Sequence, residues 1–501
     1  MTPAPPRRIT RRVTTPSDAP SPAFADLAEG FDAPDIGTWA RLAQKGLKDR
    51  PLDSLTHRVG DGIDIRPLYR AEDVASAAAV RAAPAADRAR PWDVRAVVDH
   101  PEPAQANRLA LEALSMGAHS LLLRLDPTGR DGVAVGGQDD LDRLLDGVLL
   151  DAATVALDAG VIGPQAANWL AVAAKGAPNA PLALDLDPIS AFAISGQTPG
   201  AAPGHLNAAA QAAARHAGAY PKASLFLASG RFVHEAGGSD AQMLGAGLAS
   251  AVAALRALGD AGLSPAEAAS RIALGLSLDQ RFFEGIAVMR AARLCWARLM
   301  AAAEIDPAPA ARIDVLGSRR MLAARGVHTN LLRQTAAGFA AAAGGCASLA
   351  LDPFTRPLGG AHALSRRQSL TQQFVLMDEA HLGRVADPAG GAWALESLTD
   401  QLARAAWAEF QRLEAEGGLI ASLEAGVLQG RVEAARDSLL AEIRSGDRPL
   451  LGVTLHPQDE AATVVDPRPQ YASAAPDIRQ AGDDSRGRPL APIRLDQEAE
   501  Q

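Results

Sequence analysis

Cysteine is almost missing from this chain: Cys295 and Cys346 are the two among 501 residues. Neither lies in a Cys-x-x-Cys or Cys/His spacing, so the sequence offers neither a disulfide framework nor a zinc site. Two thiols set in apolar segments read as buried and reduced, which suits a cytoplasmic protein. Basic residues are not in excess either. A net charge of −9 and a pI near 5.6 argue against a nucleic-acid footprint, which needs clustered Lys and Arg. No apolar run approaches the roughly 18 residues that span a bilayer, so no membrane is expected. The N-terminus, "MTPAPPRRITRRVTTPSDAPSP", is basic and rich in Ser, Thr and Pro but has no apolar core, and it reads as an arm rather than a secretory signal. Aromatic residues make up 4% of the chain. Alanine takes up much of the rest, which weakens propensity arguments because it fills helices and loops alike. What remains, 48% hydrophobic and 21% charged, describes a globular protein with enough material for one large core or two smaller ones.

The pattern that carries information is a repeated alternation. Short β-like runs occur at 94–98, 120–125, 154–159, 182–187, 224–229, 271–278, 313–318 and 347–352. Between them lie Ala/Leu/Arg-rich stretches with helical spacing, for example 102–116, 239–257 and 329–343. Eight strands alternating with helices imply parallel pairing through right-handed crossovers. That count suggests a closed (β/α)8 TIM barrel over residues 81–455, of ordinary size for the class. An open doubly wound sheet has the same alternation. No Gly-x-Gly-x-x-Gly follows the first strand, so a dinucleotide site has no support. Residues 365–381 and 395–416 predict two further helices, the second closed by Gly417-Gly418. Residues 1–80 form an N-terminal arm and lead-in. From His456 to the end, Pro, Asp, Gln and Arg dominate, which predicts a disordered or partner-bound tail.

Four stretches are more specific: "GIDIRPLYRAED" (62–73), "RPWDVRAVVDHPEPAQAN" (90–107), "FFEGIAVMRAARLCWARL" (282–299) and 364–418. The last contains an acidic pair, Asp378 and Glu379, followed by Arg384, Val385, Asp387, Pro388, Gly390 and Gly391. On these motifs the chain resembles the methylmalonyl-CoA mutase family over roughly residues 35–455. The resemblance implies an isomerase that interconverts methylmalonyl-CoA and succinyl-CoA by radical chemistry from adenosylcobalamin. Its substrate would thread a (β/α)8 barrel, and cobalt would be bound by a histidine of a separate domain in an Asp-x-His-x-x-Gly motif. None of the ten histidines here has that context, so no cobalamin-binding domain is expected on this chain.

Within the family this leaves two expectations. One is a non-catalytic small subunit that supports a large, cobalamin-bearing catalytic subunit in a heterodimer. The other is a substrate-binding barrel with altered specificity that works with a separate cobalamin chain. An unrelated barrel enzyme or free-standing scaffold is the third possibility.

The resemblance places Ser-Gly-Tyr-His at the end of the fifth strand of active members, where the imidazole bonds the thioester carbonyl. Here the residues are Ser229, Gly230, Arg231 and Phe232. A phenyl ring donates no hydrogen bond, so that role is lost. Val97 stands where active members carry a tyrosine between corrin and substrate. Asn207 aligns with the arginine that grips the substrate carboxylate, and Ala350 falls in the altered eighth-strand motif. Strand alternation puts Leu225, Leu227 and Ser229 on one face of the fifth strand, and "SLLLRL" adds bulk to the second. From this we expect leucines to fill the bore. His234, Glu235 and Asp240 read as a polar loop at the barrel end rather than a metal or acid–base cluster, with His234 on extended chain beyond Phe232. Thr329 reads as a helix N-cap. Asp187 and Asp352 read as turn formers at strand ends, and Trp296, Trp393 and Trp407 as packing or interface residues.

Overall fold

The computed structural model describes residues 35–74, 87, 89–457, 465, 467, 469 and 487–499. It divides after His57 into two compact units. In the first, a helix runs over Ile36–Leu47, opened by the Asp35 carboxylate accepting from the Thr38 N–H.

The second unit is built on a closed barrel of eight parallel strands. They are β1 (Asp93–Val98), β2 (Ser120–Arg124), β3 (Thr154–Asp158), β4 (Ala183–Leu186), β5 (Ser224–Ser229), β6 (Ile272–Leu278), β7 (Arg312–Gly317) and β8 (Ser348–Ala350). Each falls on a run predicted from sequence, and β8 closes the ring by pairing with both β1 and β7. Helices cover the outside: α1 (Pro103–Ser115), α2 (Gln138–Leu145), α3 (Gly163–Ala173), α4 (Pro188–Ser195), α5 (Ala202–Ala217), α6 (Arg231–Glu235), α7 (Asp240–Asp260), α8 (Phe282–Ala302), α9 (Thr329–Ala343), α10 (Ala363–Phe374) and α11 (Trp393–Ala415). The main core lies between strands and helices, where outward leucines such as Leu121, Leu123 and Leu225 meet alanine-rich helix faces. Small residues let those helices approach closely. A Cβ on Gly245 of α7, for example, would lie 2.8 Å from Glu409 of α11.

Several expectations need correcting. The α7 helix is long and apolar enough to cross a membrane by composition, contrary to the run-length argument. With 78% of that window buried, it serves as a core helix. The lead-in does not stay apart from the barrel as far as residue 80. From Arg58 onward it belongs to the barrel unit, because Val59 and Ile63 are buried in the main core and Asp61 accepts from the Ala241 N–H at 3.0 Å. Residues 1–34 and 75–86 lie outside the described residues. The tail also departs from expectation where it is described. Gly487–Ala499 lies along this chain's own barrel rim: Leu490 N–H donates to Ala193, Ile493 N–H to Glu235 and Leu495 N–H to Arg320. Leu490 and Leu495 are buried, so two well-placed apolar side chains anchor a segment that shows no periodicity.

Candidate functional site

In a parallel barrel, side chains at alternate strand positions point inward, and the C-terminal strand ends form the mouth. The bore here is lined largely by small residues: Ser120, Ala156, Ala183, Ser277 and Ser348 among them. Leucines do not fill it, which corrects the expectation. β5 carries a bulge, since the N–H groups of both Leu225 and Phe226 point to the Arg271 carbonyl. Both side chains therefore join the outer core, while Ser224 and Leu227 turn inward. Of the leucines in "SLLLRL" only Leu122 enters the bore, where it meets Ala156, Ala183, Val97 and Leu316.

Charge fills the remainder. The Arg95 guanidinium lies 3.2 Å from Asp314 and 4.0 Å from Asp185, and its Nε donates to Ser120 at 3.2 Å. Ser224 donates to Asp185 at 2.8 Å. Asp185 has a left-handed backbone (φ 42°) at a register shift between β4 and β5, which brings its carboxylate into the ring. Burial would raise the Asp314 carboxyl, but Arg312, Arg95 and Arg231 outweigh it and hold the group at about 2. Asp185 is raised instead, by burial first and by the neighbouring Asp314 charge second.

Above this layer Arg231 enters the bore. Its Nε donates to the Leu276 carbonyl at 3.3 Å and its Nη2 to the Asp314 carbonyl, so the guanidinium bridges β6 and β7 inside the bore. Phe232 is 2% exposed and sits in the core. Residues 231–235 form a helical turn, so the extended geometry expected for His234 is not found. His234 is fully buried, with Nε2 2.9 Å from Ser318 Oγ and Nδ1 4.0 Å from Asp240. Burial first and the Arg320 charge second keep its imidazole neutral, well below its usual range. Glu235, at the end of that turn, accepts from the N–H groups of Arg319 and Arg320. The family's Ser-Gly pair keeps a packing role: a Cβ on Gly230 would stand 1.9 Å from the Met243 carbonyl of α7.

A cavity of about 580 Å³ runs from the bore, where Arg95, Asp185, Asp314 and Ser348 line it, to the mouth at Asp187, Arg319 and Pro492 of the C-terminal segment. Arg124 Nε donates to Asp158 at 2.9 Å. Arg356 lies 2.7 Å from Asp99 and 3.3 Å from Asp352, and Asp352 also pairs with Arg319. Asp187 caps α4 by accepting from the Ser190 N–H at 3.0 Å, and burial pushes its carboxyl up to about 7. Asp187 and Asp352 thus do more than form turns.

Asn207 does not reach this cavity; it is exposed on α5. Ala350 is buried on β8 opposite Arg95 and Leu316. Thr329 is the first residue of α9 and His328 occupies the N-cap, while Asn330 ties Ala323 to the Phe354 carbonyl. In the signature stretch, Asp378, Glu379, Arg384, Pro388, Gly390 and Gly391 are exposed. Asp387 instead turns inward with φ 47° and grips Arg290 at 2.9 Å, a grip Glu396 shares at 2.7 Å. Arg95, Arg124, Arg319 and Arg356 were not among the site residues expected from sequence. Their signal was a lone charge inside an apolar strand run, or one just past a strand's end.

Fold and mouth together define a parallel eight-stranded β/α barrel whose bore is lined by charged side chains. Residues 60–479 match the family model described as methylmalonyl-CoA mutase. A "Methylmalonyl-CoA mutase small subunit" of Streptomyces virginiae is 34% identical over 451 residues, covering 86% of this chain and 72% of that one. The protein of the same name from Propionibacterium freudenreichii subsp. shermanii is 30% identical over 482 residues, covering 91% and 74%. A "Probable methylmalonyl-CoA mutase small subunit" of Mycobacterium tuberculosis (strain ATCC 25618 / H37Rv) is 35% identical over 393 residues, covering 75% of this chain and 62% of that one. This chain belongs to the methylmalonyl-CoA mutase family.

Proposed function

We propose that this chain is the non-catalytic small subunit of a heterodimeric, adenosylcobalamin-dependent methylmalonyl-CoA mutase, that its large catalytic partner holds the cofactor, and that the complex works in the cytoplasm. The observation that carries this reading is Arg231, whose guanidinium lies in the bore, bonded to carbonyls of β6 and β7, where a coenzyme A thread would pass. Phe232 adds to it, since a buried phenyl ring replaces the hydrogen-bond donor that the resemblance implies. The small-subunit names of the relatives at 30–35% identity support the same assignment. The barrel's residues do not suit the cofactor. Val97, the position the resemblance sets against the corrin, lies among apolar bore residues, and Gly487–Leu495 runs along the rim where the ring would stack. No reaction step is therefore assigned to this chain.

The serines lining the bore favour the second reading, a substrate-binding barrel paired with a separate cobalamin chain. Calorimetric titration with methylmalonyl-CoA separates the two. The first expects no saturable binding; micromolar binding would establish the second. Co-expression with a full-length mutase chain is expected to yield a stable complex, and failure to co-purify would refute the partnership.

A further inference from the structure

A helix on the outside of a barrel ordinarily turns a charged face to water, and one that is apolar all round is covered by something. α9 is such a helix. Its single charged residue, Arg333, is turned in, donating to the Asn330 side chain at 2.7 Å and the Leu451 carbonyl at 2.8 Å. Outward, Leu332 is 69% exposed, and half-buried Ala336 and Phe339 continue its row over the next two turns. Apolar side chains flank that row. Phe339 stacks on Phe282 of α8, whose neighbour Phe283 is exposed. Thr335 donates to Gln372 of α10 at 3.0 Å, and the exposed row of α10 begins at Leu364 and ends at Val375. Arg333 also ties down the turn at 451–455, which exposes Leu451 and Leu455. Together these six exposed side chains leave roughly 600 Å² of apolar surface bare, the upper end of what a monomer shows and most of the about 800 Å² that each partner of a standard interface buries.

We propose that this flank, centred on Leu332, is where the large mutase subunit docks, and that it meets an uncharged apolar patch there. The inference rests on the small-subunit reading, which supplies the partner; the bare surface of α8–α10 supplies the place. Interface cores are apolar and depleted of charge, as α9 is. A chain of net charge −9 is repelled by an anionic bilayer, so a membrane suits this face less well. The flank lies outside the barrel wall, so docking on it needs neither the bore nor the mouth.

The test is co-expression of the full chain with a full-length large mutase subunit, followed by sedimentation of the purified pair to read its Kd. The wild-type chains are expected to associate. Leu332→Asp should weaken them at least about thirtyfold, the loss that marks a central interface position, and Leu364→Asp at least severalfold. Val172→Asp, at a 58%-exposed position of α3 across the barrel, should leave the Kd unchanged. All three positions are exposed, so the thermal midpoints of the variants should match wild type. If the wild-type chains associate and both α9 and α10 variants bind as well as wild type, or Val172→Asp weakens binding as much, this face is wrong while the small-subunit reading stands. If the wild-type chains do not associate, both fall. Self-association of the chain alone, abolished by Leu332→Asp, would give the face to a second copy and overturn the proposal.

Discussion

Replacing Arg290 with methionine tests what the family signature does in this chain. Its guanidinium reaches Asp387 through Nε at 2.9 Å and Nη2 at 3.3 Å, Glu396 at 2.7 Å and Thr399 at 3.0 Å. The side chains of Arg290, Asp387 and Glu396 are 7%, 7% and 8% exposed, so solvent cannot screen what is left behind. Methionine keeps the apolar stem but strands two carboxylates beside α8. Removing one partner of a buried ion pair costs about 3–5 kcal/mol. At about 2.1 cal/mol/K of unfolding entropy per residue, a barrel of this size would lose roughly 3–6 °C in thermal midpoint. Scanning calorimetry reads this directly. The triple variant Arg290→Met, Asp387→Asn, Glu396→Gln removes the stranded charges and should recover at least half of the loss. An unchanged midpoint in the single variant, or no recovery in the triple, would refute the claim that this cluster anchors the Asp387 turn.

Phe232→His should give no mutase activity in an isomerisation assay, because Arg231 still occupies part of the bore. Its stability should fall by about 2–4 kcal/mol in urea, the cost of putting a polar ring in a 2%-exposed site. Gly230→Ala should destabilise by more than about 2 kcal/mol, or give insoluble protein, since its methyl would overlap the Met243 carbonyl. Burial pushes both thiols up to about 12, so Cys295 and Cys346 should react with a disulfide reagent at pH 8 only at the rate of unfolding. The Asp187 carboxyl, raised to about 7, holds a proton in the folded chain that the unfolded chain releases near pH 4. Its contribution therefore makes the chain less stable as pH rises between those values. Asp187→Asn should flatten that part of the urea-midpoint profile between pH 5 and 8.

The barrel was legible because alternation of strand and helix is a local signal, and eight runs such as "SLFLAS" and "RIALGLSL" each became a strand. The contents of the bore were not. The inward face of β5 depends on the bulge at Leu225 and Phe226, and one extra residue reverses every assignment before it. Arg95, Asp185 and Asp314 are isolated charges in apolar runs. Such charges must find partners inside, but which partner follows from barrel closure and cannot be read from any one strand. That Arg231 enters the bore was not visible from sequence, because the side chain's direction is set by the helical turn that follows it.

The C-terminal segment has a mechanical consequence. Gly487 and Leu490 are stitched to the end of α4 through Gly196 and Ala193, while Leu495 is stitched to the loop after β7 through Arg320. The last residues thus work as a drawstring joining two sectors of the rim that are distant in the chain. Pulling on it, by an affinity tag fused beyond Ala499 or by a protease cutting within 487–495, would loosen both sectors at once and unseal the mouth without touching a barrel strand.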